Sequence, residues 1–197
     1  MSEDERLGLF QQAITALTSW LDQSQTPYTL IGGIAVSLLS SPRATQDVDA
    51  VVWTDESKWS GLLESAASFG IAPRISGPIE FARRARVLLL RHEPSGVGLD
   101  ISLGSLPFER EMIEHATLLS KGGIKARAPR VEDLIVTKIV ARRPKDLADV
   151  ESMLESSPSL DLNRIRKLAA EFADATDTPE ILSDFESLLT RNQARRR

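Results

Sequence analysis

The sequence predicts a mixed α/β domain, a sheet flanked by helices, with a helical C-terminal part. Three observations carry that expectation. Short β-prone apolar runs alternate with helix-spaced segments through residues 1–128. Beyond residue 128 the strand signals cease and four helix-like segments follow one another. The length of 197 residues, with 42% hydrophobic and 26% charged content, suits one good-sized soluble domain or a core with a small appendage.

Each element has its own signal. Leu7, Phe10, Ile14, Leu17 and Leu21 recur at spacings of three and four, which predicts an amphipathic helix over 4–23. Pro27 ends it, and YTLI at 28–31 is a β-prone run. Gly32-Gly33 breaks that run before an apolar helix over 34–39, and Ser40-Ser41-Pro42 turns the chain. Val48, Val51 and Val52 mark the next strand, with Trp53 at its end, and residues 56–69 read as helical. ARVLLLRH (85–92) and VGLDISL (97–103) form a hairpin around the turn Glu93-Pro94-Ser95-Gly96. A helix is expected over 108–115 and a short strand over 124–128. Helices follow at 131–141, 145–155, 162–173 and 179–191. The expected division is therefore an α/β core over 1–128, a helical part over 129–191 and a frayed basic tail over 192–197.

Composition narrows the function classes. The absence of cysteine excludes disulfides and thiolate metal sites and suits a reducing compartment. The acidic, polar opening MSEDERLGLF does not read as a signal peptide, and no apolar run approaches the roughly 20 residues a bilayer requires. A cytoplasmic protein with no membrane partner is expected. The net charge of −4 is uneven. Residues 121–145 hold eight Lys/Arg against Glu132 and Asp133, a net of +6, and 146–190 hold eleven acids against three bases, a net of −8. The basic stretch attracts phosphates or forms a solvated, charge-mixed surface; both readings stand. A serine hydrolase is disfavoured by having only His92 and His115 and no G-x-S-x-G.

The chemistry concentrates in acids where a strand should be apolar. Alternate side chains of a strand share a face, so Asp47 and Asp49 point the same way and Val48 points opposite. Their Cα atoms lie about 6.6 Å apart at a rise of about 3.3 Å per residue. Carboxylates so spaced converge on a pair of divalent ions, as used for phosphoryl-group displacement, or else sit solvated at a strand end. Mg²⁺ prefers oxygen ligands, so neither histidine nor cysteine is needed. Asp100, in VGLDISL, is a third acid within an apolar run. Gly32-Gly33 stands where strand becomes helix, a place where backbone N–H groups approach an anion closely. Arg43 and Thr45 precede the acids and steady a phosphate or the carboxylates, or form loop surface.

Together these residues resemble the nucleotidyltransferase superfamily, the polymerase-beta-like fold. Its pattern of strand, diglycine, helix, D-x-D and a later acid is met by Ile31-Gly32-Gly33, Asp47-Val48-Asp49 and Asp100. GGIAVSLLSSPRATQDVDAVV is similar to the bacterial branch of abortive-infection toxins and related minimal nucleotidyltransferases, over roughly residues 25–155. The resemblance implies a nucleotidyltransferase-like mixed sheet that takes an NTP with two Mg²⁺ ions and passes an NMP to an acceptor hydroxyl.

On that resemblance Asp47, Asp49 and Asp100 hold metal, with Asp100 helping to deprotonate the acceptor, and Gly32, Gly33, Arg43 and Thr45 meet the nucleotide. Lys138 falls among Val131, Leu134 and Ile135 on a helical wheel, where a lysine either snorkels to the edge or reaches a buried anion. The toxin-like branch implies the second, with Lys138 on the triphosphate. RRPKDLADVESML offers Asp146 and Asp149, of which Asp146 lies nearer the apolar face and is expected inward. The acceptor stays open among an RNA or tRNA 3′ end, a protein hydroxyl and a small molecule. Arg83, Arg84, Arg86 and Arg91 tilt the choice toward RNA. The resemblance also implies a possible cognate antitoxin protein. The alternative is a non-catalytic binding module on the same fold, an antitoxin or scaffold.

Overall fold

The structure, a computed structural model, describes residues 3–195. It divides into two compact units. The first takes the chain up to Leu38 and from Arg43 to Pro129; the second takes Leu39–Pro42 and the chain from Arg130 on.

The first unit is built on a five-stranded sheet in the order β1-β2-β5-β4-β3. Its strands are β1 (Tyr28–Ile31), β2 (Asp47–Val52), β3 (Ile71–Pro73), β4 (Val87–His92) and β5 (Val97–Leu103). Only β2 and β5 run parallel, and the other neighbours are antiparallel. Strand alternation buries one face completely. Val48, Ala50, Leu88, Leu90, Leu99 and Ile101 all have no exposed surface. The long helix α1 (Glu3–Gln23) lies against β2 and β5 and buries Leu17, Trp20 and Leu21. Trp20 Nε1 donates to Leu62 O (3.1 Å) and Ser65 Oγ (2.9 Å), so the indole polar edge is satisfied inside the core. The opposite sheet face carries the acids.

Helices α2 (Gly32–Leu39), α3 (Trp59–Ala66), α4 (Pro78–Ala85) and α5 (Pro107–Glu114) connect the strands. A second, two-stranded sheet pairs β6 (Thr117–Lys121) with β7 (Ile124–Ala128). Three of these were not expected. Helix α4 is short and charged, but Gly77 turns left-handed before it (φ 61°), Pro78 starts it, and Arg86 ends it in the same left-handed region (φ 56°). Strand β3 has three residues, and β6 is exposed on both sides, so neither has a period to read.

The second unit packs α6 (Val131–Ala141) against α7 (Pro144–Ser156), α8 (Leu162–Thr176) and α9 (Glu180–Arg195). Leu134, Ile135, Val136, Ile139, Val150, Ile165 and Phe185 form its fully buried core. Helix α9 continues to Arg195 through most of the stretch expected as a frayed tail. Asn192 is buried, Arg191 pairs with Glu151 (3.1 Å), and Arg195 pairs with Glu155 (2.9 Å). Residues 196 and 197 of that expected tail lie outside the described residues.

Candidate active site

The acids come together through strand register. In the parallel β2–β5 pair Asp49 lies directly opposite Asp100, and Asp47 opposite Gly98. Register partners share a face, so all three carboxylates stand on the face away from the buried core. Asp47, Asp49 and Asp100 are each half-buried, while Val48 and Leu99 between them are fully inside.

Two glycines make room for them. Gly32 has φ +65°, and a Cβ built there would lie 1.9 Å from Asp49 Oδ2. A Cβ at Gly98 would lie 2.2 Å from Asp47 Oδ1. Bare backbone at these two points is therefore what the carboxylates rest against. Gly33, the second residue of α2, is as close to the loop before β2: its Cβ would meet Thr45 Cβ at 2.8 Å and Arg43 Cζ at 3.4 Å. Ser37 ties this loop down, since its hydroxyl donates to Gly33 O (3.0 Å) and accepts from the Arg43 N–H (3.2 Å). Thr45 Oγ1 donates to Asp47 O (3.1 Å). Gly32, Gly33, Arg43, Thr45, Asp47, Asp49 and Asp100 are thus one constellation at the head of α2.

Sequence reading missed Arg74. It follows β3 and donates its backbone N–H to Leu89 O (2.9 Å), and Leu89 is the register partner of Asp100. Its Nη2 donates to Asp100 Oδ1 in an ion pair. Burial pushes the Asp100 carboxyl above the usual range; Arg74 opposes this and the Asp47 charge adds to it. No local pattern foretells Arg74, because it arrives by long-range pairing. Gly98 did carry a signal: a glycine inside an apolar strand, two residues before an acid.

The donor set of three carboxylates on one face, cradled by glycine backbone, fits a hard, oxygen-seeking ion such as Mg²⁺. Among the described residues, however, no three acidic, histidine or cysteine side chains are already gathered as a metal cage.

Lys138 and Asp146 belong to the second unit. Lys138 is 4% exposed, and its ammonium lies 2.9 Å from Asp146 Oδ1 and 2.8 Å from Asp149 Oδ2. Arg143 also bonds Asp146 through Nε and Nη2. Burial alone would raise the Asp146 pKa, but hydrogen bonds and charge from Arg143 and Lys138 prevail and hold it below the usual value. One of the two aspartates was expected inward; both are, because the single lysine ammonium lies against a carboxylate oxygen of each. A third buried acid, Asp133, accepts two bonds from Arg164 (2.7 and 3.1 Å).

The arginines read as an RNA surface are partly engaged elsewhere. Arg86 donates to Leu103 O and Gly104 O and stacks over Trp59 at 5.0 Å, and Arg83 pairs with Glu56. Arg84 and Arg91 remain exposed.

Comparison with known proteins agrees with this fold. A family model described as a nucleotidyltransferase of unknown function (DUF6036) matches residues 5–186. No curated protein matches the chain. An antigenic nucleotidyltransferase-like protein from Paracoccidioides brasiliensis aligns at a TM-score of 0.55 and 22% identity, over 93% of this chain and 94% of its own. The antibiotic-resistance factor ANT(2'')-Ia, in its solution structure, aligns at 0.58 and 14% identity, over 87% of this chain and 95% of its own. Its crystal structure in complex with adenylyl-2''-tobramycin aligns at 0.58 and 16% identity, over 83% and 97%. At such identities the likeness is one of fold.

Proposed function

The chain belongs to the nucleotidyltransferase family DUF6036, and from that premise we propose that it is a Mg²⁺-dependent enzyme moving an NMP from an NTP to an acceptor hydroxyl. One observation carries the reading: Asp47, Asp49 and Asp100 share a sheet face against the bare backbone of Gly32 and Gly98.

Asp47, Asp49 and Asp100 are the residues that would hold Mg²⁺, whose chemistry there is to neutralise phosphate charge and acidify a bound hydroxyl. The other parts belong to the chain. The backbone of Gly32 and Gly33 at the head of α2, with Arg43 and Thr45 beside it, receives the phosphates. Asp100 takes the proton from the acceptor hydroxyl, whose oxygen then attacks the α-phosphorus. The bond from that phosphorus to its bridging oxygen breaks, and pyrophosphate leaves. Positioning and charge neutralisation supply most of the rate.

Three acceptor classes follow: an RNA or tRNA 3′ end, a protein hydroxyl, and a small polyhydroxylated molecule, the last supported by the adenylyl-2''-tobramycin of ANT(2'')-Ia. A toxin role, restrained by a cognate antitoxin, fits the first two. The test is incubation with α-labelled NTPs, Mg²⁺ and each acceptor class. Label should move to one of them, and Asp49→Ala should lower the rate by at least about a hundredfold. Metal-dependent transfer to none of them would favour the non-catalytic module.

A further inference from the structure

Arg74 lies outside every motif of the acidic constellation, yet its guanidinium stands inside it. We propose, resting on the nucleotidyl-transfer reading above, that Arg74 is the resident counter-ion of the acidic face: a positioning residue that holds Asp100 beside Asp49 and yields it to an incoming divalent cation.

Three observations support this. Arg74 Nη2 is bonded to Asp100 Oδ1, the carboxylate directly across from Asp49. Its Nη1 lies 3.2 Å from the point where a Cβ on Gly98 would stand, and Asp47 Oδ1 lies 2.2 Å from the same point. Guanidinium and carboxylate thus converge over one glycine, and any side chain at position 98 would expel them. Finally, Arg74 Nε is buried and makes no hydrogen bond among the described residues. An arginine that braces a fold satisfies its whole fork of donors, because a buried N–H without a partner is costly. Arg74 is held by charge at one end and left unsatisfied at the other.

Charge explains why such a residue is needed. Three carboxylates on one half-buried face repel one another and tend either to take up protons or to splay apart. A single guanidinium offsets part of that repulsion and keeps Asp100 aligned. It also occupies Asp100 Oδ1, so the guanidinium and a cation would compete for that carboxylate.

Mn²⁺ titrated into the full chain, with free ion followed by electron paramagnetic resonance, reads the competition without any turnover. Arg74→Met should bind Mn²⁺ about tenfold more tightly than wild type, because a unit charge is removed from contact range at a partly screened site. Arg74→Lys keeps the charge and should stay within about threefold of wild type. Equal or weaker binding by Arg74→Met overturns the inference, as does Arg74→Lys behaving like Arg74→Met. Binding of Mn²⁺ by none of these proteins, or binding that survives Asp49→Asn, overturns the metal reading of the acids and takes the inference with it. Should Arg74→Met not fold, the wild-type Arg74 Nε–H resonance decides. Mg²⁺ should shift it, and an unmoved signal at saturating Mg²⁺ rejects the competition.

Discussion

Replacing Gly32 with alanine tests the close approach at the head of α2. Two penalties should appear, and they can be separated. The first is conformational: φ at Gly32 is +65°, where an alanine loses about 1–2 kcal/mol. The second is steric, since the new Cβ would lie 1.9 Å from Asp49 Oδ2, 2.6 Å from its Cγ and 2.8 Å from its Cβ. Ordinary contact needs about 3.5 Å, so the carboxylate must move by about 1.5 Å. Gly96 supplies the control, with φ +72° and nothing within 4 Å of a Cβ. Gly96→Ala therefore carries only the backbone penalty. Gly32→Ala should be less stable than Gly96→Ala by a further 1–3 kcal/mol or so, the usual range for overpacking. Its NMP transfer should fall by about a hundredfold, the effect of displacing a reacting constellation by about an ångström. Urea unfolding measures the first difference and labelled-NTP transfer the second. If the two variants unfold alike and Gly32→Ala transfers within about tenfold of wild type, the glycine cradle is not what positions Asp49.

Two further outcomes follow from buried ionisable groups. Lys138→Met keeps the aliphatic stem but leaves Asp146 and Asp149 buried with one cation fewer. Urea denaturation should show a loss of about 3–5 kcal/mol, and a loss below about 1 kcal/mol would reject the ion cluster as a brace of the second unit. Burial lowers the pKa of His92 from its ordinary 6.5, while its Nδ1 lies 2.8 Å from Ser95 Oγ. The folded chain then binds a proton less readily than the unfolded chain. The His92 contribution is complete above pH 6.5 and fades as pH falls through that value toward the lower folded pKa. His92→Gln should flatten this acid limb in thermal midpoints measured from about pH 8 to pH 5, and an unchanged limb would contradict it.

The sequence disclosed what strand and helix periods can encode. Valines around Asp47 and Asp49 announced a half-buried strand, and VGLDISL announced its partner, so the shared face of the acids was legible before the register was known. Lys138 among Leu134 and Ile135 stood out for the same reason, but helical phase alone left open whether it snorkels to the edge or meets a buried anion. What stayed hidden was whatever depends on distant pairing. Arg74 reaches Asp100 only because β3 pairs with β4, and three residues of strand leave no period. Thr117–Lys121 is exposed on both faces, so hydrophobic alternation had nothing to act on. The choice between Asp146 and Asp149 rested on wheel angle alone. A lysine with three donors accommodates both, and that is a matter of hydrogen-bond capacity rather than helical phase.

The path of the chain through its two units bears on how the protein is dissected. Leu39–Pro42 leave the first unit within a residue of the end of α2, and Arg43 returns to it. The halves are therefore laced, not strung end to end. A fragment stopping at Pro129 would carry four residues deprived of their packing, and the remainder would lack Ser40, whose hydroxyl lies 3.3 Å from that of Ser152. Clean separation calls for grafting residues 39–42 onto the helical half and bridging Leu38 directly to Arg43.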